Sequence, residues 1–260
     1  MEESLFSALL SRENHSTEAI DWCEANFIHP DIAEFWNCVS SLSYCLVGLS
    51  LTVQDYHIVV MRRPLRFAGP LVFILGLASA SFHATLKLHH QRLDEVFETF
   101  SLVSLLHSAV EPALPALAWP AHTALAFLGV TRVHSFLFTE VHLVLCAVLL
   151  GMALVRLAGR AQARGGSSAK GVAQLQGRLL VAASSAAIGA LCWLLDRLLC
   201  PQLQGAQLHA WWHVLTAVTL HESYAVAALA GSALEGGKAG LRIVAGGLLS
   251  VVVEGEDKTP

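Results

Sequence analysis

Charged side chains are scarce in this chain. Lysine, arginine, aspartate and glutamate make up 14% of its 260 residues, against 55% hydrophobic, where soluble domains carry about a quarter charged. That scarcity argues against a soluble protein, and the near-continuous apolar segments favour one membrane domain over two soluble ones. A net charge of −4 leaves no basic surplus, so no nucleic-acid partner is expected. A cleavable signal sequence is also missing: residues 1–26 are polar and acidic, with no basic start leading into an apolar run. The first spanning helix is therefore expected to serve as its own targeting signal. No CxxC pair occurs among Cys23, Cys38, Cys45, Cys146, Cys192 and Cys200, which argues against a thiolate zinc site. Cys38, Cys45, Cys146 and Cys192 fall in apolar stretches and read as small packing residues.

What the chain has instead is apolar runs. About 20 such residues cross a bilayer, and seven candidates lie at roughly 36–54, 66–86, 93–110, 114–131, 136–156, 178–198 and 208–231. The fourth is the weakest, interrupted by Pro115 and Pro120 and followed by Arg132. The apolar stretch 240–253 is too short to span and reads as an interfacial or loosely ordered tail. Basic residues fix the orientation, because they concentrate on the cytosolic side. Arg62, Arg63 and Arg66 lie between spans 1 and 2. Arg156, Arg160, Arg164, Lys170 and Arg178 lie between spans 5 and 6, around the Gly165–Ser168 stretch, and Lys238 and Arg242 lie in the tail. A seven-span path puts all of these on one face, the cytosol, and leaves the N-terminus luminal. The expected fold class is an all-α membrane protein, a bundle of seven transmembrane helices with an extramembrane acidic N-terminal segment. Its parts are that segment (1–35), the membrane domain (36–235) and a cytosolic tail (236–260).

Ionisable residues inside spans are costly and ask for a reason. Ser79 and His83 close span 2, four apart and so on one helix face. Asp94 opens span 3, with Glu95 and Glu98 beside it. His209 and His213, again four apart, open span 7. In the seven-span path these five residues share one luminal layer. Three imidazoles with one position left open form the usual ligand set of a catalytic zinc. Plainer readings stand beside this one. A membrane histidine is often a packing or hydrogen-bonding residue, Asp94 suits a helix N-terminus through the dipole, and Ser79 can bond back to its own helix. His89 and His90 read as solvated loop residues, and His107, His142 and His221 as structural, since none has a partner at ligand spacing.

The N-terminal segment carries Glu2, Glu3, Glu13, Glu18, Asp21, Glu24, Asp31 and Glu34 against a single basic residue, Arg12. Dense carboxylate and amide oxygens suit calcium, which takes six to eight oxygen ligands. The spacing is not that of an EF-hand, and an ordinary solvated acidic segment is the competing reading.

Several stretches together resemble the alkaline ceramidases, seven-span amidases related to the adiponectin and progestin receptors. They are Asp21–Asn26 (DWCEAN), Ile32–Asn37 (IAEFWN), Ser79–Leu86, Leu93–Glu95 (LDE), Cys192–Cys200 (CWLLDRLLC) and Leu208–Val214 (LHAWWHV). They run from the first helix to the last. The resemblance implies that His83, His209 and His213 are zinc ligands and that Ser79 and Asp94 contact the reacting water. It implies calcium ligands at Asp21, Glu24, Asn26 and Glu34, with the Trp22 carbonyl, and a luminal disulfide between Cys23 and Cys200. The implied activity is hydrolysis of ceramide, a membrane lipid, to sphingosine and a fatty acid in the endoplasmic reticulum or Golgi membrane; no protein partner is implied. The rival readings are a receptor-like member of the same superfamily with a structural metal, and a metal transporter, which would need polar residues at several depths.

Overall fold

The computed structural model describes residues 19–52, 65–110, 118–128, 136–163, 169–234, 238–243 and 249–254. Expectations resting on Glu2, Glu3, Arg12, Glu13, Glu18, Arg62, Arg63, Pro115, Arg132, Arg164 and Gly165–Ser168 lie outside the described residues.

The helices are α1 (Phe35–Thr52), α2 (Ala68–Thr85, entered through a 3-10 turn at Leu65–Phe67), α3 (Leu88–Val110), α4 (Ala118–Leu128), α5 (Phe136–Ala163), α6 (Ala169–Leu198) and α7 (Leu208–Leu234). Short turns at Cys200–Leu203 and Gln204–Ala206 join α6 to α7. After α7 come β1 (Lys238–Ile243) and β2 (Leu249–Glu254), which pair antiparallel from Lys238↔Glu254 to Ile243↔Leu249. The stretch expected to be an interfacial or loose tail thus forms a hairpin beside α7. The reason is local: Val251–Val253 is β-branched and suits a pleated strand better than a helix.

Among the described residues, four segments are long and apolar enough to cross a membrane: Ala68–Thr85, Val141–Ala163, Gly171–Leu198 and Leu208–Gly231. The other helices carry what a lipid-facing span avoids. In α1 these are Asn37, Ser40, Ser41 and Ser43, and in α3 they are Arg92, Asp94, Glu95 and Glu98, while α4 has only 11 residues. On α5 and α6 the outward residues are large and apolar. Leu145, Val148 and Val155 on one helix, and Leu180, Ile188 and Leu191 on the other, are all more than half exposed. An apolar face of that extent marks contact with membrane rather than water.

Two details of packing position the site. Along the α1–α2 seam a side chain on Gly48 would collide with the Phe73 backbone, and one on Gly76 with Cys45. Small residues let two helix backbones approach this closely, which brings the end of α2 against the start of α1. Between α6 and α7, the Arg178 guanidinium donates to the Glu222 carboxylate at 2.8 Å, and Arg178 is buried. Arg178, expected in a basic loop, lies inside α6 because that helix already starts at Ala169; a buried charge needs such a partner. Arg156, Arg160 and Lys170 likewise sit on helices.

Candidate metal centre

The last two turns of α2 bring Ser79 and His83 inward, and both are almost wholly buried. The helix stops there because Leu86 takes a left-handed conformation (φ 47°) and donates its N–H to the Phe82 carbonyl. The first turns of α7 bring in His209 and His213, both buried. Ring centroids lie 4.8 Å apart for His83–His213, 5.2 Å for His83–His209 and 4.6 Å for His209–His213. One ligand atom from each ring falls within 4.8 Å of the others. Three imidazoles from two distant stretches therefore meet at one point.

The hydrogen bonds around the trio suit a metal. His83 Nδ1 lies 2.5 Å from Glu34 Oε2; with Nδ1 engaged there, Nε2 is the nitrogen left to offer its lone pair. Ser40 gives its hydroxyl proton to the Asn37 carbonyl at 3.0 Å, and its oxygen lies 2.9 Å from His213 Nδ1. The proton is then assigned to His213 Nδ1, which frees Nε2. An outer partner that fixes tautomer and ring orientation is what metal-bound imidazoles usually have. Among the described residues, His83 Nε2 and His209 Nδ1 are buried without a hydrogen-bond partner. A buried polar atom left unpaired costs roughly 1–3 kcal/mol, and a cation at this point would satisfy both.

Beside the trio, Asp94 on α3 interacts with the Ser79 hydroxyl, and Ser41 Oγ lies 3.0 Å from Ser79 Oγ. Because α3 starts at Leu88, Asp94 sits in the second turn rather than at the helix end, so the dipole reading of this residue loses its ground. Glu95 is tied up locally, accepting from Gln91 at 2.7 Å and Arg92 at 2.7 Å. A cavity of about 50 Å³ is lined by Trp22, Ser79, Asp94, Glu98, His209 and His213. His90 hydrogen-bonds Thr85 on the exposed side of this region, and His89 and His90 belong to the first turn of α3 rather than to a loop.

The N-terminal segment is built into the same centre. The Trp22 indole stacks on the His209 ring, with centroids 3.7 Å apart and planes 17° from parallel. Cys23 is disulfide-bonded to Cys200, as the family resemblance implies. Asp196 accepts from the Cys23 and His209 backbone N–H groups, each at 3.2 Å. Ala33 and Glu34 donate their N–H groups to the Ala84 and His83 carbonyls, satisfying groups that the end of α2 leaves open.

The residues expected to hold calcium are close to one another but have several tasks. The Glu34 carboxylate accepts from Trp22 N–H at 2.7 Å and Asn37 Nδ2 at 3.0 Å, besides His83. Glu24 accepts from the Trp36 and Asn37 N–H groups at 2.6 and 3.0 Å, capping the first turn of α1. Asn26 donates to Asp21 at 3.0 Å, both exposed, and Asp21 in turn interacts with Glu34. Burial pushes the Glu34 carboxyl up to about 8, with Asp21 adding to the rise against the lowering effect of its donors, and burial also raises Glu24. A cation nearby would favour the ionised forms of both.

Sequence comparison identifies the relatives of this arrangement. The profile of the family described as Ceramidase matches residues 14–243. The chain belongs to the ceramidase family. It is 28% identical to alkaline ceramidase 1 of Mus musculus over 79% of this chain and 77% of that protein. It is 28% identical to the Homo sapiens alkaline ceramidase 1, over 79% and 80%. For alkaline ceramidase 3 of Mus musculus the identity is 26%, over 77% and 79%. The resemblance read from the motifs is borne out, and the expectation of an enzyme stands with it.

Sequence reasoning on this ceramidase-family chain missed two neighbours of the trio. Asp196 appears in the sequence only as a member of the 192–200 stretch, and its two backbone donors come from residues 173 and 13 positions away. Glu34 shows its acidity but not its bond to His83. A second gathering, His122, His142 and Cys146, also went unread: His142 and Cys146 lie four apart on α5, with Cys146 Sγ 3.5 Å from His142 Nε2.

Proposed function

We propose that this chain is a membrane-embedded amidase that hydrolyses ceramide to sphingosine and a fatty acid at the His83–His209–His213 centre. The observation that carries the reading is the trio itself: three buried imidazoles, two with unpartnered ring nitrogens, set beside Asp94 and Ser79. These rings would hold zinc, which when bound supplies Lewis acidity and makes water a better proton donor. Asp94 takes the proton from the attacking water as the carbon–oxygen bond forms, and returns it to the amide nitrogen as the carbon–nitrogen bond breaks. The Ser79 hydroxyl donates to the carbonyl oxygen as it gains charge. The two products are a carboxylic acid and an amine, so atoms and protons balance.

The reading includes a seven-span path with α1, α3 and α4 added to the four apolar segments, the N-terminus luminal, the tail cytosolic and the membrane that of the endoplasmic reticulum or Golgi. The disulfide fits an oxidising lumen on the side of Cys23 and Cys200. Calcium would be held by Asp21, Glu24, Asn26, Glu34 and the Trp22 carbonyl. It would act on turnover through the Glu34–His83 and Trp22–His209 contacts, by favouring the ordered form of the segment.

Two measurements test this. Purified protein should cleave ceramide, lose that activity to a strong zinc chelator and regain it on re-addition of zinc; cleavage that persists in metal-free protein overturns the proposal. For the N-terminal segment, Asp21→Ala is chosen because Asp21 is exposed and bonds Asn26, another of the expected calcium ligands. The calcium concentration for half-maximal turnover should rise about tenfold or more, as one carboxylate leaves the ligand set, with zinc content unchanged. An unshifted calcium response removes calcium from this segment.

A further inference from the structure

At the opposite end of α3 a second set of soft donors converges. His107 lies near the last turn of α3, His122 on α4, and His142 and Cys146 one turn apart on α5. Thirteen residues separate His107 from Asp94, about 20 Å along a helix. His107 Nε2 lies 3.0 Å from His122 Nδ1, His122 Nε2 lies 3.2 Å from His142 Nε2, and Cys146 Sγ lies 3.5 Å from that same His142 nitrogen. His122 Nε2, His142 Nε2 and Cys146 Sγ thus form a triangle, and ligand atoms of the three residues all fall within 4.8 Å of one another.

The lengths identify the kind of triangle. A tetrahedral zinc with its usual bond lengths sets two imidazole nitrogens about 3.3 Å apart, and a nitrogen and a thiolate about 3.6 Å apart. The two edges, 3.2 and 3.5 Å, fall within a tenth or two of those figures. A relay of hydrogen bonds can use the His107–His122 and His122–His142 contacts. In such a relay the Cys146 thiol can only share the one His142 nitrogen that already pairs with His122, whereas a metal has a separate coordination position for each donor. A metal uses all three donors, and His107 then takes the outer role, accepting the His122 Nδ1 proton and leaving Nε2 as a ligand. Imidazole with thiolate selects a borderline-soft ion such as zinc over calcium or magnesium, which need oxygen. A cavity of about 540 Å³, lined by His107, His122, Leu149, Met152, Arg156 and Arg160, adjoins the cluster on its His107–His122 side.

We infer that His122, His142 and Cys146 bind a zinc-class divalent ion, oriented by His107, at a site separate from the His83 centre. The ion clasps the short α4 to α5. Co²⁺ is the probe, because a thiolate ligand adds a sulfur-to-cobalt charge-transfer band in the near ultraviolet, whereas the all-imidazole centre has none. Full-length protein loaded with Co²⁺ should bind two equivalents and show the band. In His209→Ala one equivalent and the band should remain. In Cys146→Ala the band and one equivalent should vanish while ceramide turnover persists. Absence of the band from the wild-type protein overturns the inference, as does a band that survives Cys146→Ala, which would assign it to another thiol. Because the His83 centre is removed independently, loss of the proposed activity in His209→Ala and loss of the band in Cys146→Ala read out the two ideas separately.

Discussion

Purified His209→Ala should hydrolyse ceramide at least about a thousandfold more slowly than the unaltered protein, a barrier increase of roughly 4 kcal/mol. It should also carry one equivalent less zinc. The size of the effect follows from the geometry. His209 supplies one of three ligand atoms, its Nδ1 is buried without another partner, and its ring is stacked on Trp22. Alanine removes the donor and opens a gap under the indole, and no other described imidazole is placed to substitute. The helices should still form, since α7 is packed along its length through residues well beyond this turn, including Ala217 and Tyr224–Ala230. Helical content by circular dichroism, zinc by elemental analysis and turnover on one preparation check the three parts together. Turnover within tenfold of the unaltered protein, with zinc lost, would sink the hydrolytic role of the centre.

Asp94→Asn tests the other half of the chemistry. The amide keeps the size and a hydrogen bond to Ser79 but has little affinity for a proton at neutral pH. Removing a general acid–base group costs about 10²–10⁴ in rate. The expected result is a fall of that size in kcat, with KM within a few fold and zinc content unchanged. That split separates a proton-transfer role from a structural one, because a carboxylate that merely held α3 against α2 would alter folding yield or KM instead. A kcat within threefold of the original would assign the proton transfers to another group, and Glu98, which faces the same cavity, is the next candidate.

The centre was largely legible in the sequence because helical spacing writes itself into residue numbers. Ser79 and His83, or His209 and His213, lie four apart and so on one face, and the alternation of chain direction set both pairs at the same height as Asp94. What numbers do not carry is contact between elements. Glu34 could be read as acidic, but its bond to His83 depends on the α1–α2 seam, where Gly48 and Gly76 let the backbones close. Asp196 sits 173 residues from Cys23. His107, His122 and His142 come from three helices with no shared spacing, so only the fold assembles them. The basic stretch between spans 5 and 6 misled for a different reason. Arg156, Lys170 and Arg178 are helix formers, so charge there marks helix ends rather than the length of a loop. The hairpin at 238–254 was hidden because a short apolar run fits a strand and an interfacial segment equally well.

The 14 residues from Asp21 to Glu34 bear on how small a working version of this protein can be. A chain begun at Phe35 would retain every long helix and all three imidazoles. It would lack the indole over His209, the carboxyl that holds the His83 ring, and the covalent tie to the α6–α7 corner. Such a truncation would be a scaffold without a lid, its pocket open to solvent from above. Shortening or replacing the N-terminus for expression therefore alters the enzyme itself, and fusion partners are better attached at the other end.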